Sequence, residues 1–229
     1  MQVRSLSIMF AVLMALSTIS LGVPGSVAAS GSSDFEYRID SEYDWWTYEY
    51  VYSVAITGYS GPGGDVVIPS EIDGLPVTTI ADNAFYCCDT ITSVTIPDSV
   101  TSISYGAFMM CRSLTTAVVG SGVTNMEGTF LLCFNLRDVT IGNNVTHIYE
   151  NAFAHCYALS TITIPASVTT IEMYSFQYCF GLESMYFEGN APVMERNWDY
   201  QRTALSSTAP LTAYFYYGAS GFTTPSWNG

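Results

Sequence analysis

Six cysteines and two histidines are the first side chains of this 229-residue chain to consider as nucleophiles, bases or metal ligands. Five of the cysteines recur at separations of 23, 22, 23 and 23 residues. These five are Cys88, Cys111, Cys133, Cys156 and Cys179. A zinc site uses ligands in close pairs, so single cysteines at this spacing do not match one. The spacing instead predicts one cysteine at the same place in each unit of a repeat.

The repeated cysteines are predicted to be buried, reduced thiols that pack as small hydrophobic side chains. Equivalent residues of neighbouring coils lie about 4.8 Å apart, the spacing of strands in a sheet. That distance is within the range of a disulfide, but parallel Cβ directions make the sulfur geometry poor. Disulfides, which are usual in secreted chains, are the alternative. Cys87 is out of register with the repeat, so we expect it to point outward and to be the thiol to test for reactivity.

The histidines and acidic residues form no recognisable catalytic motif. His155 precedes Cys156, but adjacent side chains point in different directions and make a poor nucleophile–base pair. Three glutamates recur near the second strand of the repeat, and a pair of carboxylates is the minimum for glycoside hydrolysis. They are Glu127, Glu150 and Glu172. We therefore predict a non-catalytic chain without cofactor or metal, and a secreted carbohydrate-active enzyme is the alternative.

A fixed period of about 23 residues predicts a solenoid, in which each coil buries its apolar side against its neighbours. Each coil begins with a strand of alternating inward and outward side chains, as in Ile91–Ile96. A second short strand follows, and then a Phe and a Cys three residues apart that suit one helical or 3₁₀ turn. The phenylalanines expected to align in the core are Phe108, Phe130, Phe153 and Phe176. The third coil is one residue shorter near Gly128, where we expect a kink.

The recurring pattern L-x-x-V-x-I-x-x-x-V resembles the strand signature of leucine-rich repeats. The full form, T-I-P-x-S-V-T-S-I followed by A-F and C, resembles the BspA-like family of bacterial and protist surface proteins. The resemblance runs from about Ile56 to about Trp227. It implies a β-rich solenoid, a right-handed leucine-rich repeat superhelix of about five coils with short 3₁₀ or helical turns and aromatic caps. It also implies a secreted or cell-surface interaction protein, because family members are associated with adhesion.

The N-terminal residues have the pattern of a secretory signal peptide. A short positive region is followed by an apolar stretch and by small residues, so cleavage is predicted near Ala29. An uncleaved membrane anchor is the alternative. The mature chain is expected to be secreted or at the cell surface, and not inserted in a membrane.

The predicted domains are the signal peptide at 1–29, an N-terminal cap at 30–64, the solenoid at 65–190 and a C-terminal cap at 191–229. The aromatic segment Phe35–Ile56 is expected to pair with and cover the first coil, because a stacked sheet has open edges. A platform for stacking on sugars is the alternative for this segment. The repeat pattern does not assign Val193–Thr208 to any structural element.

The composition favours some partners and excludes others. The net charge is −14, and all six basic residues are arginines, so no Lys/Arg cluster can neutralise phosphates. We therefore expect an extracellular protein or glycan partner and neither nucleic acid nor an anionic membrane surface. The oligomeric state is not predicted.

The outward side chains of the first strands are predicted to form the binding surface. They make columns along the solenoid that are rich in threonine and poor in charge, so hydroxyls and methyl groups would contact the partner. The β-propensity of threonine explains the same residues without a partner, and a structural spacer of a surface assembly is a further alternative. The predicted binding residues are Thr95, Thr116, Val118, Arg137, Asp138, Thr140, Thr161, Thr163, Glu183 and Tyr186.

Overall fold

The structure, a computed structural model, describes residues 32–194, 205, 211–216 and 218–222. The predicted signal peptide and most of the Val193–Thr208 segment lie outside the described residues. A single 3₁₀ turn at Ser32–Asp34 is the only helix in the described part of the chain. The strands are β1 (Phe35–Asp44), β2 (Glu49–Tyr59), β3 (Gly64–Val67), β4 (Glu71–Ile72), β5 (Leu75–Ile80), β6 (Ile91–Ile96), β7 (Ser102–Ile103), β8 (Thr116–Val119), β9 (Asn125–Met126), β10 (Asp138–Thr140), β11 (His147–Ile148), β12 (Thr161–Ile164), β13 (Thr170–Ile171), β14 (Ser184–Phe187), β15 (Val193–Met194) and β16 (Thr212–Phe215).

The strands form a β-solenoid, as predicted from the repeat, and it has about six turns rather than the five that were expected. The first strand of each coil lies in one wall, which we call the strand face: β3, β6, β8 and β10 are paired in parallel, and so are β12, β14 and β16. The opposite wall contains β2, β5 and β7, followed by β9, β11, β13 and β15. Alternation of side chains puts every second residue of these strands inside.

A column of stacked phenylalanines fills the space between the walls and confirms the predicted alignment. The ring centroids of Phe108 and Phe130 are 5.6 Å apart, those of Phe130 and Phe153 are 5.7 Å apart, and those of Phe153 and Phe176 are 5.1 Å apart. Phe85 extends the column by one coil at 4.6 Å from Phe108. All five rings are fully buried. Each buried ring contributes about 2–3 kcal/mol of hydrophobic stabilisation.

The Phe–Cys segment of each coil is a hydrogen-bonded turn with a left-handed residue just before the cysteine. In the second such turn, Met109 N donates to Gly106 O at 2.8 Å and Cys111 N donates to Phe108 O at 3.4 Å, which is the i→i−3 pattern of the predicted 3₁₀ geometry. Met110 has φ 63°, so a helix does not continue. Its N–H instead donates to Leu131 O of the next coil at 2.9 Å. The left-handed conformation therefore links the coils at the turns.

Each wall has one interruption among the described residues. The strand face has no pairing between β10 and β12, and the opposite wall has none between β7 and β9. The second interruption lies beside the coil that is one residue shorter. There Gly128 has φ 53°, and a Cβ on it would be 2.7 Å from Cε2 of Tyr105. Glycine adopts this conformation without strain and leaves room for the Tyr105 ring of the preceding coil, which would have to move to accommodate a side chain.

The β1–β2 hairpin covers the first coil only at its base, which corrects part of the capping expectation. β2 pairs in parallel with β5, and Phe35, Val54 and Ile56 are buried there. Most aromatic residues nearer the tip of the hairpin are exposed, Trp46 to 94%. They are too far along the hairpin to be covered by the coil, so their apolar surface remains in solvent.

Candidate functional site

The structure brings the predicted binding residues into columns on the strand face. Thr95 is the register partner of Val118, and Val118 is the partner of Thr140. In the second group of strands, Thr163 is the partner of Tyr186. The neighbouring column contains Thr116 opposite Asp138 and Thr161 opposite Ser184. All of these side chains are exposed or half-buried.

The charged residues of the predicted set lie at the beginning of their strands. Arg137 N and Asp138 N both donate to Thr115 O, at 2.9 and 3.1 Å, and Glu183 N donates to Ser160 O at 2.9 Å. These backbone bonds hold the strand starts, and the three charged side chains are exposed. The two ion pairs of the described residues lie elsewhere, at Arg38–Asp40 and Arg112–Asp89. The charges on the strand face are therefore solvated rather than paired with each other.

A shallow groove of about 670 Å³ runs across the ends of β6, β8 and β10. One side consists of Thr95, Val118 and Thr140 from the predicted column. The other side consists of turn residues that the sequence did not indicate: Asp98, Ser121 and Asn143. The turns hold each other by side-chain bonds, since Asp98 Oδ1 accepts from Ser121 N at 2.6 Å and Ser121 Oγ bonds Asn143 Oδ1 at 3.1 Å.

Two glycines line the floor of this groove. A Cβ on Gly142 would collide with the carbonyl oxygen of Gly120, and a Cβ on Gly120 would lie 2.6 Å from the Pro97 backbone. Successive turns therefore pack backbone against backbone, with no side chain filling the groove. Both glycines are buried, so the polar groups that this arrangement leaves open to a partner are the side chains of Asp98, Ser121 and Asn143.

A second groove of about 360 Å³ lies at the C-terminal end of the strand face. It is lined by Thr163 and Tyr186, which were predicted, and by Glu188, Tyr214 and Tyr216. The rings of Tyr186 and Tyr214 stack at 4.7 Å with an angle of 10° between their planes. Tyr214 was missed because β16 follows β14 after more than one repeat length, so no period connects it to Tyr186.

The turn side of the solenoid carries an exposed aromatic column that was also missed. Phe134 and Tyr157 stack at 4.9 Å, and Tyr157 and Phe180 stack at 5.6 Å. Each residue directly follows a cysteine of the repeat, and this recurrence could have been found in the sequence. The column lies outside both grooves.

The repeated cysteines are free thiols, and the last four of them bond to the preceding coil. Each of these four donates its Sγ–H to the carbonyl oxygen of a core phenylalanine, as from Cys111 to Phe85 at 3.0 Å and from Cys179 to Phe153 at 3.0 Å. Burial raises the pKa of Cys179 to about 12 and raises that of Cys156 well above its usual value. These thiols are structural, because a nucleophilic cysteine needs a lowered pKa and access.

The other thiols differ in exposure. A hydrogen bond with Cys133, together with burial, raises the pKa of Cys111 far above its usual value. Cys88 is only half-buried, which corrects the prediction of burial for this first thiol of the repeat, and its pKa is raised to about 11, mainly by burial. Cys87 is exposed, as predicted, and its Sγ lies 3.8 Å from the Met110 sulfur.

The histidines contact aromatic or hydroxyl groups. His155 Nδ1 lies 2.9 Å from the Tyr157 hydroxyl, and partial burial lowers the pKa of His155. Cys156 bonds to the Phe130 carbonyl instead, so the adjacent pair does not interact as base and nucleophile. His147 Nδ1 bonds the Thr146 hydroxyl at 2.9 Å.

The glutamates considered for glycoside hydrolysis lie away from both grooves. Glu127 and Glu150 are exposed and Glu172 is half-buried. The described residues contain no group of three or more His, Cys, Asp or Glu side chains that could hold a metal ion. None of their helices has the length and apolar character needed to cross a membrane.

Comparisons with known proteins agree with the repeat. The family described as BspA type Leucine rich repeat region matches residues 76–201 in six copies. The chain is similar to a solved leucine-rich repeat protein of T. pallidum, with 29% identity and a TM-score of 0.62 over 71% of this chain and 74% of that one. No curated protein sequence matches the chain.

Two further solved structures are similar. A leucine-rich repeat protein of Eubacterium ventriosum shares 20% identity with a TM-score of 0.52, over 87% of this chain and 54% of that longer one. A leucine-rich repeat protein of Bacteroides capillosus shares 32% identity with a TM-score of 0.40, over 60% of this chain and 88% of that one.

Proposed function

The chain belongs to the BspA-type leucine-rich repeat family, and on that premise we propose that it is a secreted or cell-surface interaction protein that binds an extracellular protein or glycan through its strand face. The observation that carries the proposal is the pair of open grooves on that face, which share Thr95, Val118, Thr140, Thr163 and Tyr186 with the predicted columns. The N-terminal signal pattern supports export.

The chemistry of the grooves suits a partner with both apolar and hydroxyl groups. Threonine methyls and the stacked Tyr186–Tyr214 pair offer apolar surface, and backbone and hydroxyl groups offer hydrogen bonds. Aromatic rings beside hydroxyls are typical of surfaces that bind by stacking and polar contact. The six arginines and the excess of acidic residues leave no cationic cluster for nucleic acid.

The test compares two double variants on panels of purified matrix proteins and polysaccharides. Thr163→Ala with Tyr186→Ala should weaken binding by at least about tenfold, because it removes one wall of the second groove. The melting temperature should change by less than about 2 °C, since both side chains are exposed. Thr124→Ala with Tyr178→Ala makes the same chemical changes away from the strand face and should leave binding unchanged.

Two results would contradict the proposal. Unchanged binding by the strand-face variant would place the partner on another surface. Release of reducing ends from any polysaccharide of the panel would show catalysis, and substitution of the glutamates would then identify the acids.

A further inference from the structure

The outer part of the β1–β2 hairpin is an aromatic surface that capping of the coil does not explain. Trp45, Trp46 and Tyr48 at its turn are exposed to 76, 94 and 74%, and Tyr50 and Tyr52 follow on β2. A cluster of large exposed apolar side chains marks an interaction site, whereas isolated ones are ordinary. This surface lies at the opposite end of the chain from the second groove of the strand face.

The rings at the turn form the walls of a pocket. Its volume is about 360 Å³, and it is lined by Glu42, Tyr43, Asp44, Trp45, Trp46 and Val51. The Tyr43 and Trp45 rings meet edge to face at 4.8 Å. Asp44 Oδ1 accepts a hydrogen bond from Trp46 N at 2.8 Å, which shapes the turn. The Tyr43–Trp45 contact and the hydrogen bond in the turn therefore order one side of the pocket before any ligand binds, whereas the Trp46 ring is 94% exposed.

Carboxylates without a countercharge surround this pocket. Glu42 and Asp44 are two residues apart and lie on one face of β1. Asp44 is directly opposite Glu49 in the antiparallel register, and like charges in that position destabilise a sheet. Arg38 is the nearest base along β1 and is already paired with Asp40 at 2.8 Å. Among the described residues, neither ion pair includes Glu42, Asp44 or Glu49.

We propose that the hairpin tip binds a lysine or arginine side chain of a basic partner protein, with the cation against the Trp45 and Trp46 rings and beside the carboxylates of Glu42, Asp44 and Glu49. Aromatic faces attract ammonium and guanidinium groups. The positive charge of the bound cation also offsets the repulsion between the carboxylates of Asp44 and Glu49. This site goes beyond the proposed strand-face function, because it lies on other elements and recognises other chemistry.

The shape of β1 indicates an extended protein segment rather than a small amine. β1 is the edge of its sheet, so one side of its backbone can pair with an added strand. Its ten residues span about 34 Å. Glu36, Asp40 and Glu42 place acidic groups along that length. A second copy of this chain is a poor occupant, since each copy has a net charge of −14 and no lysine.

The probe for this site is a short peptide of alternating lysine and threonine, with a peptide of alternating glutamate and threonine as its control. Binding is measured by titration calorimetry at low and at physiological salt. The lysine peptide should bind, and Trp45→Leu with Trp46→Leu should weaken it by at least about tenfold. The glutamate peptide should not bind.

A charge-matched pair of variants separates the site from the overall acidity of the chain. Glu42→Gln with Glu49→Gln should weaken binding by about tenfold and reduce its salt dependence. Glu127→Gln with Glu150→Gln makes the same change in net charge on the coils and should have little effect. Equal losses in the two variants would overturn the proposal, and so would unchanged binding after the tryptophan substitutions.

Three further measurements complete the test. The strand-face variant Thr163→Ala/Tyr186→Ala should bind the lysine peptide normally, so that failure of one proposal is distinguishable from failure of the other. Tetramethylammonium that binds as tightly as the peptide would contradict the extended segment. Self-association or binding of neutral oligosaccharides that the tryptophan substitutions abolish, without binding of the peptide, would assign the tip to that occupant and overturn the proposal.

Discussion

The core of the coils and the tip of the hairpin are both rich in stacked rings, but only the coils bury them. Phe130 is fully buried between two identical neighbours, whereas Trp46 is exposed to 94%. The coil rings recur with the repeat at an inward position, so each one stacks on a ring of at least one neighbouring coil. The hairpin rings do not recur, and no neighbouring coil is placed to cover them. In this molecule, a repeated inward position rather than aromatic content determines which rings are buried, because the equally repeated rings of Phe134, Tyr157 and Phe180 lie on the outside and stay exposed or half-buried.

The largest expected difference between the coil core and the hairpin tip is in their contribution to stability at alkaline pH. In the folded state the pKa of Cys179 is raised to about 12, and the pKa values of Cys111 and Cys156 are raised well above their usual value, whereas an unfolded cysteine has a pKa of about 8.5. The folded state binds these protons more tightly than the unfolded state does. The contribution of these thiols to the free energy of unfolding is therefore fully present below about pH 8.5 and is lost as the pH rises above that value. The expected loss is about 1.4 kcal/mol per pH unit for each such thiol.

Urea unfolding between pH 7.5 and 10.5 measures this loss. Cys156→Ala should reduce the pH dependence of the free energy of unfolding by the contribution of one thiol. Trp46→Ala should leave this pH dependence unchanged. A free energy of unfolding that does not change with pH would show that the thiols are not buried as neutral groups.

Truncation of one core ring should have the next largest effect. Phe130→Ala removes a buried ring from the middle of the column and should cost about 3–5 kcal/mol. Phe180→Ala removes a ring of the same type that is 46% exposed on the turn side, and it should cost less than about 1.5 kcal/mol. Urea denaturation of both variants gives the two values, and equal costs would contradict the contrast between buried and exposed rings.

Removal of a ring from the hairpin tip should have the smallest effect on stability. Trp46→Ala should change the free energy of unfolding by no more than about 0.5 kcal/mol, because the side chain makes few contacts that unfolding would break. Thermal unfolding checks this expectation. A loss of several degrees would show that the tip packs against another part of the protein.

The coil interior could be predicted from the sequence because every inward position is repeated. Phe108, Phe130, Phe153 and Phe176 stack as expected, and the alternation in Ile91–Ile96 placed Thr95 in its outward column correctly. Cys87 is exposed because it falls one residue before the repeated position. Because the period is fixed, the inward residues identified in one coil predict which residues stack on them in the neighbouring coils.

The features that were missed depend on contacts that no period connects. Tyr214 reaches Tyr186 because β16 pairs with β14 after a longer connection. Asp98 and Ser121 line a groove because glycine lets the turns approach closely, which is a backbone property. The hairpin extends beyond the coil because β2, with 11 residues, is longer than β5, with 6, and β1 pairs with β2 along its full length. The length of a strand and the number of residues between two paired strands cannot be read from a short segment of sequence, whereas the alternation of inward and outward side chains can.

The thiol column has a consequence for the way the solenoid opens. Coils contact only their neighbours, so terminal coils should fray at a lower free energy than central ones. Each Sγ–H bonds to the carbonyl of the preceding coil, and it becomes accessible only when two adjacent coils part. The four bonded cysteines thus report on four successive junctions, from the coil of Phe85 to the coil of Cys179, and the order in which their thiols become accessible gives the order of local opening there.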